Sequence, residues 1–173
     1  MRAARYRIDL SRQMAGCDAN YIRLLKLLPH LESYRLDCLQ CASDEGYSRD
    51  FLIDSMHAPA GEEPVMEARV RIRVLEVFRY TSTLEIAQLN QYGERLNQWV
   101  EPPSILIRVY HDAHAAEAVA YQGHRGFLAR YETPNSRMYH QDEKRQINEF
   151  LGEWLSLCVQ AGRSMSAPLF CPA

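Results

Sequence analysis

The segment Ala68-Arg69-Val70-Arg71-Ile72-Arg73-Val74 decides the fold class of this chain. Apolar and basic residues alternate strictly along it, which is the two-residue period of a β-strand with one face toward a core. The alternation slips at Val74-Leu75, as it does at a β-bulge. The segment from Ser82 to Asn90 is predicted as the return strand, with Leu84 and Ile86 on one side. The centre of the chain therefore predicts an antiparallel sheet with one arginine-rich face.

Residues 104–110 predict a third strand, and the segment after it allows two interpretations. Residues 111–120 are rich in alanine, which favours a helix by propensity. The same residues lead directly into Gly123-His124-Arg125-Gly126, a turn sequence that favours a hairpin partner for residues 104–110. We favour the hairpin and keep the helix as the alternative.

Two helices are predicted at the ends of the chain. Residues 10–28 carry apolar side chains at three- and four-residue spacing, and Pro29 ends the pattern. From Asp142 to about Gln160 a second apolar stripe includes Trp154 at its centre. Helix, antiparallel strands and helix together predict an α+β fold, with about four or more strands and both terminal helices packed on one face.

Length and composition predict a single domain spanning residues 1–173. The apolar fraction is 47%, the charged fraction is 24% and the net charge is −2, which is ordinary globular composition. No apolar run approaches the roughly 20 residues of a membrane span, and the basic N-terminus lacks the apolar stretch of a secretory signal. We therefore expect a cytoplasmic protein. The acidic segment at about 42–64 is predicted as a flexible loop, with a short ordered piece around residues 51–53.

Two signatures suggest a family. The first is Arg108-Val109-Tyr110-His111-Asp112-Ala113, followed by Ala116-Glu117. The second is Ala129-Arg130-Tyr131-Glu132-Thr133-Pro134-Asn135, which continues through residues 140–151. The chain resembles the YqiB-like proteins, a bacterial family of unknown function, over most of its length except about 32–66. The resemblance implies a cytoplasmic protein of Gram-negative bacteria with no established activity, often encoded beside a cyclic-AMP phosphodiesterase and an ADP-ribose pyrophosphatase.

The first candidate site is a row of arginines. Alternate residues of one strand lie about 7 Å apart on the same face, and a nearby strand extends the row. Such a face can bind an anionic partner, or it can pair with Glu85 and Glu117 across the strands. The residues are Arg69, Arg71, Arg73 and Arg108.

The second candidate site is the polar and aromatic segment 130–141, which comes just before the last helix. Segments of this kind carry function more often than helices do. They also serve as structural clamps on long connections. The candidate binding residues here are Arg130, Tyr131, Asn135 and His140.

A cluster after the third strand carries the alternative chemistry. His111, His114 and Glu117 could begin a Zn²⁺ or Fe²⁺ site, with Asp112 or Glu117 as the general base. The simpler interpretation is a turn in which Asp112 bonds backbone amides. Two histidines without a third ligand at a known spacing are a weak signature, so we expect no cofactor.

The sequence thus predicts a non-enzymatic binding or regulatory protein that acts through the arginine row and the 130–141 segment. No nucleophile-elbow or phosphate-loop motif is present. We expect another protein as the partner, no membrane contact, and weak or no nucleic-acid binding because the net charge is negative. The alternative is a small metal-dependent hydrolase. The sequence leaves the oligomeric state open.

Overall fold

A computed structural model describes residues 9–41, 46–53, 68–89, 103–122, 124–125 and 143–165. Helices and strands follow one another in the order expected for an α+β protein, which confirms the predicted fold class. The elements are α1 (Leu10–Leu27), α2 (Leu31–Cys41), β1 (Ser48–Ile53), β2 (Ala68–Val77), β3 (Thr81–Leu89), β4 (Ser104–Tyr110), β5 (Ala115–Tyr121), β6 (His124–Arg125), α3 (Glu143–Ala161) and β7 (Gly162–Ser164).

All the described strands form one sheet in the order β6-β5-β4-β3-β2-β1-β7, and every neighbouring pair is antiparallel. From β1 to β6 the chain is a simple meander, and β7 returns to pair with β1. The register of β2 against β3 shifts between Val74 and Glu76, which confirms the bulge expected from the broken alternation.

Residues after β4 form a hairpin, so the helical alternative for 111–120 is wrong. Ala116 and Ala118 alternate into the core, with 0% and 1% of their surface exposed. His114 closes the turn with a positive φ of 50°. The tertiary packing of the small alanine side chains outweighs the helix propensity of an isolated alanine-rich segment.

The hydrophobic core lies between the sheet and the terminal helices. Helix α1 contributes Tyr21, Leu24 and Leu27, and α3 contributes Leu151, Leu155 and Cys158. These side chains pack in one cluster with the apolar face of the strands, as predicted. The buried strand residues include Val70, Ile72, Leu84, Ile86, Ile105, Ile107 and Val109.

Asn148 on α3 joins both terminal helices to the sheet. Its Oδ1 accepts a hydrogen bond of 2.9 Å from the backbone N–H of Ala118 in β5. Its Nδ2 donates to the carbonyl of Lys144 at 2.9 Å, and its own carbonyl accepts from Asn20 of α1 at 3.4 Å. A side chain that is 8% exposed therefore satisfies a backbone group of β5 and fixes the positions of α1 and α3.

Two elements differ from the sequence expectation. Residues 48–53 form a full strand inside the segment predicted as a loop, and Phe51 and Ile53 are buried in the core. Helix α2 was not expected, because its apolar residues have little helical periodicity. Its first residue, Leu31, is buried in the core, and contacts from its polar side chains attach the rest of the helix to the turns of the sheet. The rest of the predicted 42–64 loop lies outside the described residues.

Gly162 separates α3 from β7 at a point of close approach. A Cβ atom at this position would overlap the carbonyl oxygen of Cys158. The glycine therefore ends the helix, as its position in the sequence predicts.

Within the described ranges, no helix combines the length and the hydrophobicity needed to span a bilayer.

We expect Trp154→Ala to lower the free energy of unfolding by about 3–5 kcal/mol, since aromatic truncation in a core leaves a cavity. Trp154 is 8% exposed and its ring centroid lies 5.7 Å from that of Phe150. Leu157→Ala on the same helix is the control, because Leu157 is 38% exposed. Denaturant unfolding should show a much larger loss for Trp154→Ala, and equal losses would contradict this packing.

Candidate functional site

The surface of the sheet opposite the core carries the predicted arginine row. Arg69, Arg71 and Arg73 alternate on β2 with the buried Val70, Ile72 and Val74. Arg108 takes the same face of β4, since it alternates with core residues there. We call this surface the arginine face: Arg69, Arg71, Arg73 and Arg108.

Asp50 on β1 pairs with two members of the arginine face. Its Oδ2 accepts from Arg69 Nε at 2.9 Å and also from Arg69 Nη2. Its Oδ1 accepts from Arg71 Nε at 2.8 Å, and its Oδ2 from Arg71 Nη2 at 2.9 Å. The hydrogen bonds from Arg71, and then those from Arg69, hold the pKa of Asp50 below its ordinary value although burial raises it. The carboxylate thus stays charged and fixes two guanidinium groups at once.

Exposure increases along the row toward the β2–β3 turn. The side chains of Arg69, Arg71 and Arg73 are 21%, 37% and 48% exposed. Arg73 Nε donates to Glu85 Oε2 at 2.7 Å, the cross-strand contact expected from the sequence. Arg73 is therefore the most accessible arginine of the three on β2.

Arg108 lies opposite Glu117 in the register of β4 and β5, yet Glu117 bonds elsewhere. Glu117 Oε1 accepts from the hydroxyl of Tyr110 at 3.0 Å, and its Oε2 lies 2.8 Å from Lys144 Nζ. Within the described part of the chain, no carboxylate forms an ion pair with Arg108. Among the described residues, three of the four arginines thus pair with two carboxylates, Asp50 and Glu85.

Two buried polar atoms of the arginine face lack a hydrogen-bond partner. They are Thr83 Oγ1 and Arg108 Nε. Thr83 pairs directly with Arg108 in the register of β3 and β4, so the two atoms belong to facing residues. Most buried polar groups in native proteins are satisfied, so two unsatisfied ones on facing residues mark an unusual place on the sheet.

His111 does not open toward a ligand, because both of its ring nitrogens have protein partners. Nε2 lies 2.8 Å from Ser82 Oγ, and Nδ1 lies 3.1 Å from Glu32 Oε1 on α2. Glu32 Oε2 accepts from Arg35 Nη2 at 2.8 Å, and Arg35 Nη1 donates to the carbonyl of Arg79 at 2.6 Å. This network attaches α2 to the turns of two hairpins.

The network has the connectivity of a serine–histidine–carboxylate triad, but Ser82 has no exposed surface. Burial lowers the pKa of His111, although the nearby Glu32 favours the charged ring. Burial raises the pKa of Glu32, but the bonds from Arg35 and His111 together hold it below the ordinary value. The neutral imidazole of His111 therefore connects the hydroxyl of Ser82 to the carboxylate of Glu32, and this hydrogen-bond network has a structural role.

The other members of the predicted metal cluster do not converge on His111. The ring of His114 packs at a tilt against that of Tyr21 with centroids 5.5 Å apart, and Asp112 Oδ1 accepts from the Ala113 N–H at 3.0 Å. Glu117 is bonded to Tyr110 and Lys144 as described. In the described ranges no three His, Cys, Asp or Glu side chains form a group able to hold a metal ion.

The sequence did not predict two residues of this region, and four of the predicted binding residues lie outside the described part of the chain. Asp50 was missed because it stands in an acidic stretch with loop composition, where only the alternation of Phe51 and Ile53 signalled a strand. Glu32 was missed because nothing in the sequence places α2 against the β4–β5 turn. Arg130, Tyr131, Asn135 and His140 lie outside the described residues.

A groove of about 660 Å³ lies between α1 and α3, on the helical side of the sheet. Arg145 donates to the two carboxylate oxygens of Glu149 at 2.7 and 2.8 Å, and Arg12 lies 3.6 Å from the same carboxylate. Arg23 donates to Asn20 Oδ1 at 3.1 Å. These groups satisfy one another within the protein, in contrast to Thr83 and Arg108.

Fold and site together define an α+β protein whose described strands form one antiparallel sheet with an arginine-rich face. The chain belongs to the family described as "Protein of unknown function (DUF1249)", whose model matches residues 23–164. It is 32% identical over 166 residues to the "Uncharacterized protein YqiB" of Escherichia coli K12, across 96% of this chain and 99% of the relative. The proteins of the same name from the O6:H1 and O157:H7 strains match equally. No solved structure matches the chain. The family resemblance expected from the sequence is confirmed.

We expect Asp50→Ala to lower the free energy of unfolding by about 2–3 kcal/mol, because it leaves Arg69 and Arg71 without their shared charged acceptor. Asp50 is 12% exposed, so water replaces the carboxylate poorly. Glu76→Ala is the control: Glu76 is exposed, and such a change costs about 0.5 kcal/mol or less. If urea unfolding gave the same loss for both variants, Asp50 would not hold the row.

We expect the free energy of unfolding to decrease as pH falls below about 6.5, the ordinary pKa of histidine. The folded pKa of His111 is lowered, so the unfolded chain takes up the proton first and acid favours unfolding. The slope is at most about 1.4 kcal/mol per pH unit. Between pH 7.5 and 5.5, His111→Gln should flatten this dependence, whereas His30→Gln, at an exposed position, should retain it. An unchanged slope in His111→Gln would exclude His111 as its source.

Proposed function

We propose that this protein is a non-enzymatic, cytoplasmic binding or regulatory protein that recognises an acidic protein partner through the arginine face. The 130–141 segment, with Arg130, Tyr131, Asn135 and His140, stays a predicted second contact. Arginine suits this role because its planar guanidinium binds carboxylates with two parallel hydrogen bonds.

The observation that carries the proposal is the incomplete neutralisation of the arginine face. One carboxylate, Asp50, serves both Arg69 and Arg71, and Glu85 serves Arg73. Arg108 pairs with no carboxylate among the described residues, and the side chain of Arg73 is 48% exposed, so guanidinium groups of this face remain available to an outside acceptor. Guanidinium groups that lack a full set of acceptors favour association with an acidic surface.

Exposed apolar side chains adjoin the accessible end of the row. Leu75, Phe78 and Tyr80 at the β2–β3 turn are 41%, 53% and 54% exposed. The guanidinium of Arg79 lies 5.2 Å from the ring centroid of Tyr80. Arginine and aromatic residues are enriched where proteins bind each other, and they supply most of the binding energy. The combination supports a protein partner better than a nucleic acid, whose long phosphate backbone the acidic remainder of the chain would repel.

The hydrolase alternative has less support. Its four residues, His111, Asp112, His114 and Glu117, each engage a different protein group, as described above. The Ser82–His111–Glu32 network is no better as a nucleophile site, because Ser82 is 0% exposed. Binding through the arginine face therefore explains more of the described geometry.

We expect Arg73→Gln to weaken partner binding by about ten- to thirtyfold, the effect of losing an arginine at an interface centre. The measurement has two stages. Tagged wild type captures partners from lysate of the cells that make it, and each purified candidate is then titrated by calorimetry at two salt concentrations. Affinity should fall as salt rises, because the contact is between opposite charges.

Matched variants test the location of the contact. Arg12→Gln removes an arginine from α1 whose side chain is 73% exposed, and it should leave affinity unchanged. Arg73→Lys keeps the charge and should recover part of the loss. Equal affinities of wild type and Arg73→Gln for every captured protein would contradict the proposal. Submicromolar binding of random-sequence RNA at physiological salt would also contradict it.

A further inference from the structure

Two unsatisfied polar atoms lie on facing residues of β3 and β4. Thr83 is 6% exposed and its Oγ1 is buried without a partner. Arg108 Nε is also buried without a partner, and it belongs to the residue directly opposite Thr83 on β4. Directly opposite residues of antiparallel strands have Cβ atoms about 4.5–5.5 Å apart, so the two side chains leave the sheet side by side.

We propose that Thr83 and Arg108 form a site for one oxyanion group, a carboxylate or a phosphate. This inference rests on the proposed function, since the group would be the anchor that an acidic partner inserts into the arginine face. Thr83 offers a hydroxyl donor, and Arg108 offers a charged N–H donor. Oxyanions accept such bonds at short distance and with about twice the strength of neutral acceptors.

The partial exposure of Arg108 favours this site, and one neighbouring carboxylate opposes it. Arg108 as a whole is partly exposed, so part of the side chain that bears the buried Nε meets solvent. Glu117 lies opposite Arg108 on β5, but its carboxylate is bound to Lys144 and Tyr110. Glu76 lies opposite Thr83 in the register of β2 and β3 and is exposed, and its negative charge opposes an incoming anion.

The test is a titration followed by backbone amide NMR, at constant ionic strength maintained with sodium chloride. One arm adds inorganic phosphate, and the other adds N-acetyl-glutamate N-methylamide, which presents the carboxylate of a partner's side chain. We expect the amides of Thr83 and Arg108 to shift in a saturable manner with at least one probe. Tighter binding of the glutamate derivative indicates a protein anchor, and tighter binding of phosphate indicates a free or attached phosphate group. Either result supports the site.

Three variants make the test specific. Thr83→Val keeps the shape but removes the hydroxyl, and it should weaken binding about tenfold. Thr81→Val is the matched control, since Thr81 lies two residues away on the same face, opposite Tyr110, and it should not change affinity. Glu76→Gln removes the opposing charge and should strengthen binding about two- to fivefold. Thermal unfolding of each variant confirms that it is folded.

Two results would overturn the site. In the first, water is its only occupant, and neither probe shifts the amides of Thr83 or Arg108 more than chloride does. In the second, Thr83→Val binds the probes as well as wild type does. This failure is distinct from failure of the proposed function. If the oxyanion site were absent, a partner could still depend on Arg73. If no partner depended on Arg73, the small probes would still report on Thr83 and Arg108.

Discussion

The strict alternation of β2 is the constraint on which the rest of the structure depends. Because successive side chains point to opposite faces, Val70, Ile72 and Val74 cannot enter the core without placing the arginines together on the other side. A slip of one residue would bury guanidinium groups and expose the core. The core thus fixes the arginine face, and the arginine face in turn requires the carboxylates of β1 and β3.

Charge compensation on this face is graded. Near β1, Asp50 binds two guanidinium groups tightly and they form part of the scaffold. Toward β4 the compensation ends, because Glu117 is drawn to Lys144 and the Nε of Arg108 is left without an acceptor. One face therefore contains a rigid structural part and a part whose hydrogen bonds are incomplete. Buried donors without acceptors cost stability, so their presence beside exposed arginine and aromatic side chains supports a binding role.

Local pattern predicted most of the fold, and long-range contacts account for what it missed. The strands β2 to β5, the bulge after Val74 and the stripe around Trp154 follow from periodicity in short windows. Helix α2 lacks such a pattern, and the burial of Leu31 together with an ion pair and hydrogen bonds to distant turns holds it. The arginine row was visible in the sequence, but Asp50 was not, because its partners lie 19 and 21 residues away. The register of β3 and β4 brings Thr83 and Arg108 opposite each other, so their unsatisfied atoms cannot be predicted from either residue alone.

The most direct test of this account is the ¹Hε chemical shift of each arginine side chain, measured before and after addition of phosphate or a carboxylate at constant ionic strength. Arg69, Arg71 and Arg73 each donate Nε–H to a carboxylate and should resonate downfield without change. Arg108 should resonate upfield of them in the ligand-free protein and move downfield as the anion binds. The account would be contradicted if the ¹Hε signal of Arg108 were already downfield without anion, or if its chemical shift did not change with either probe.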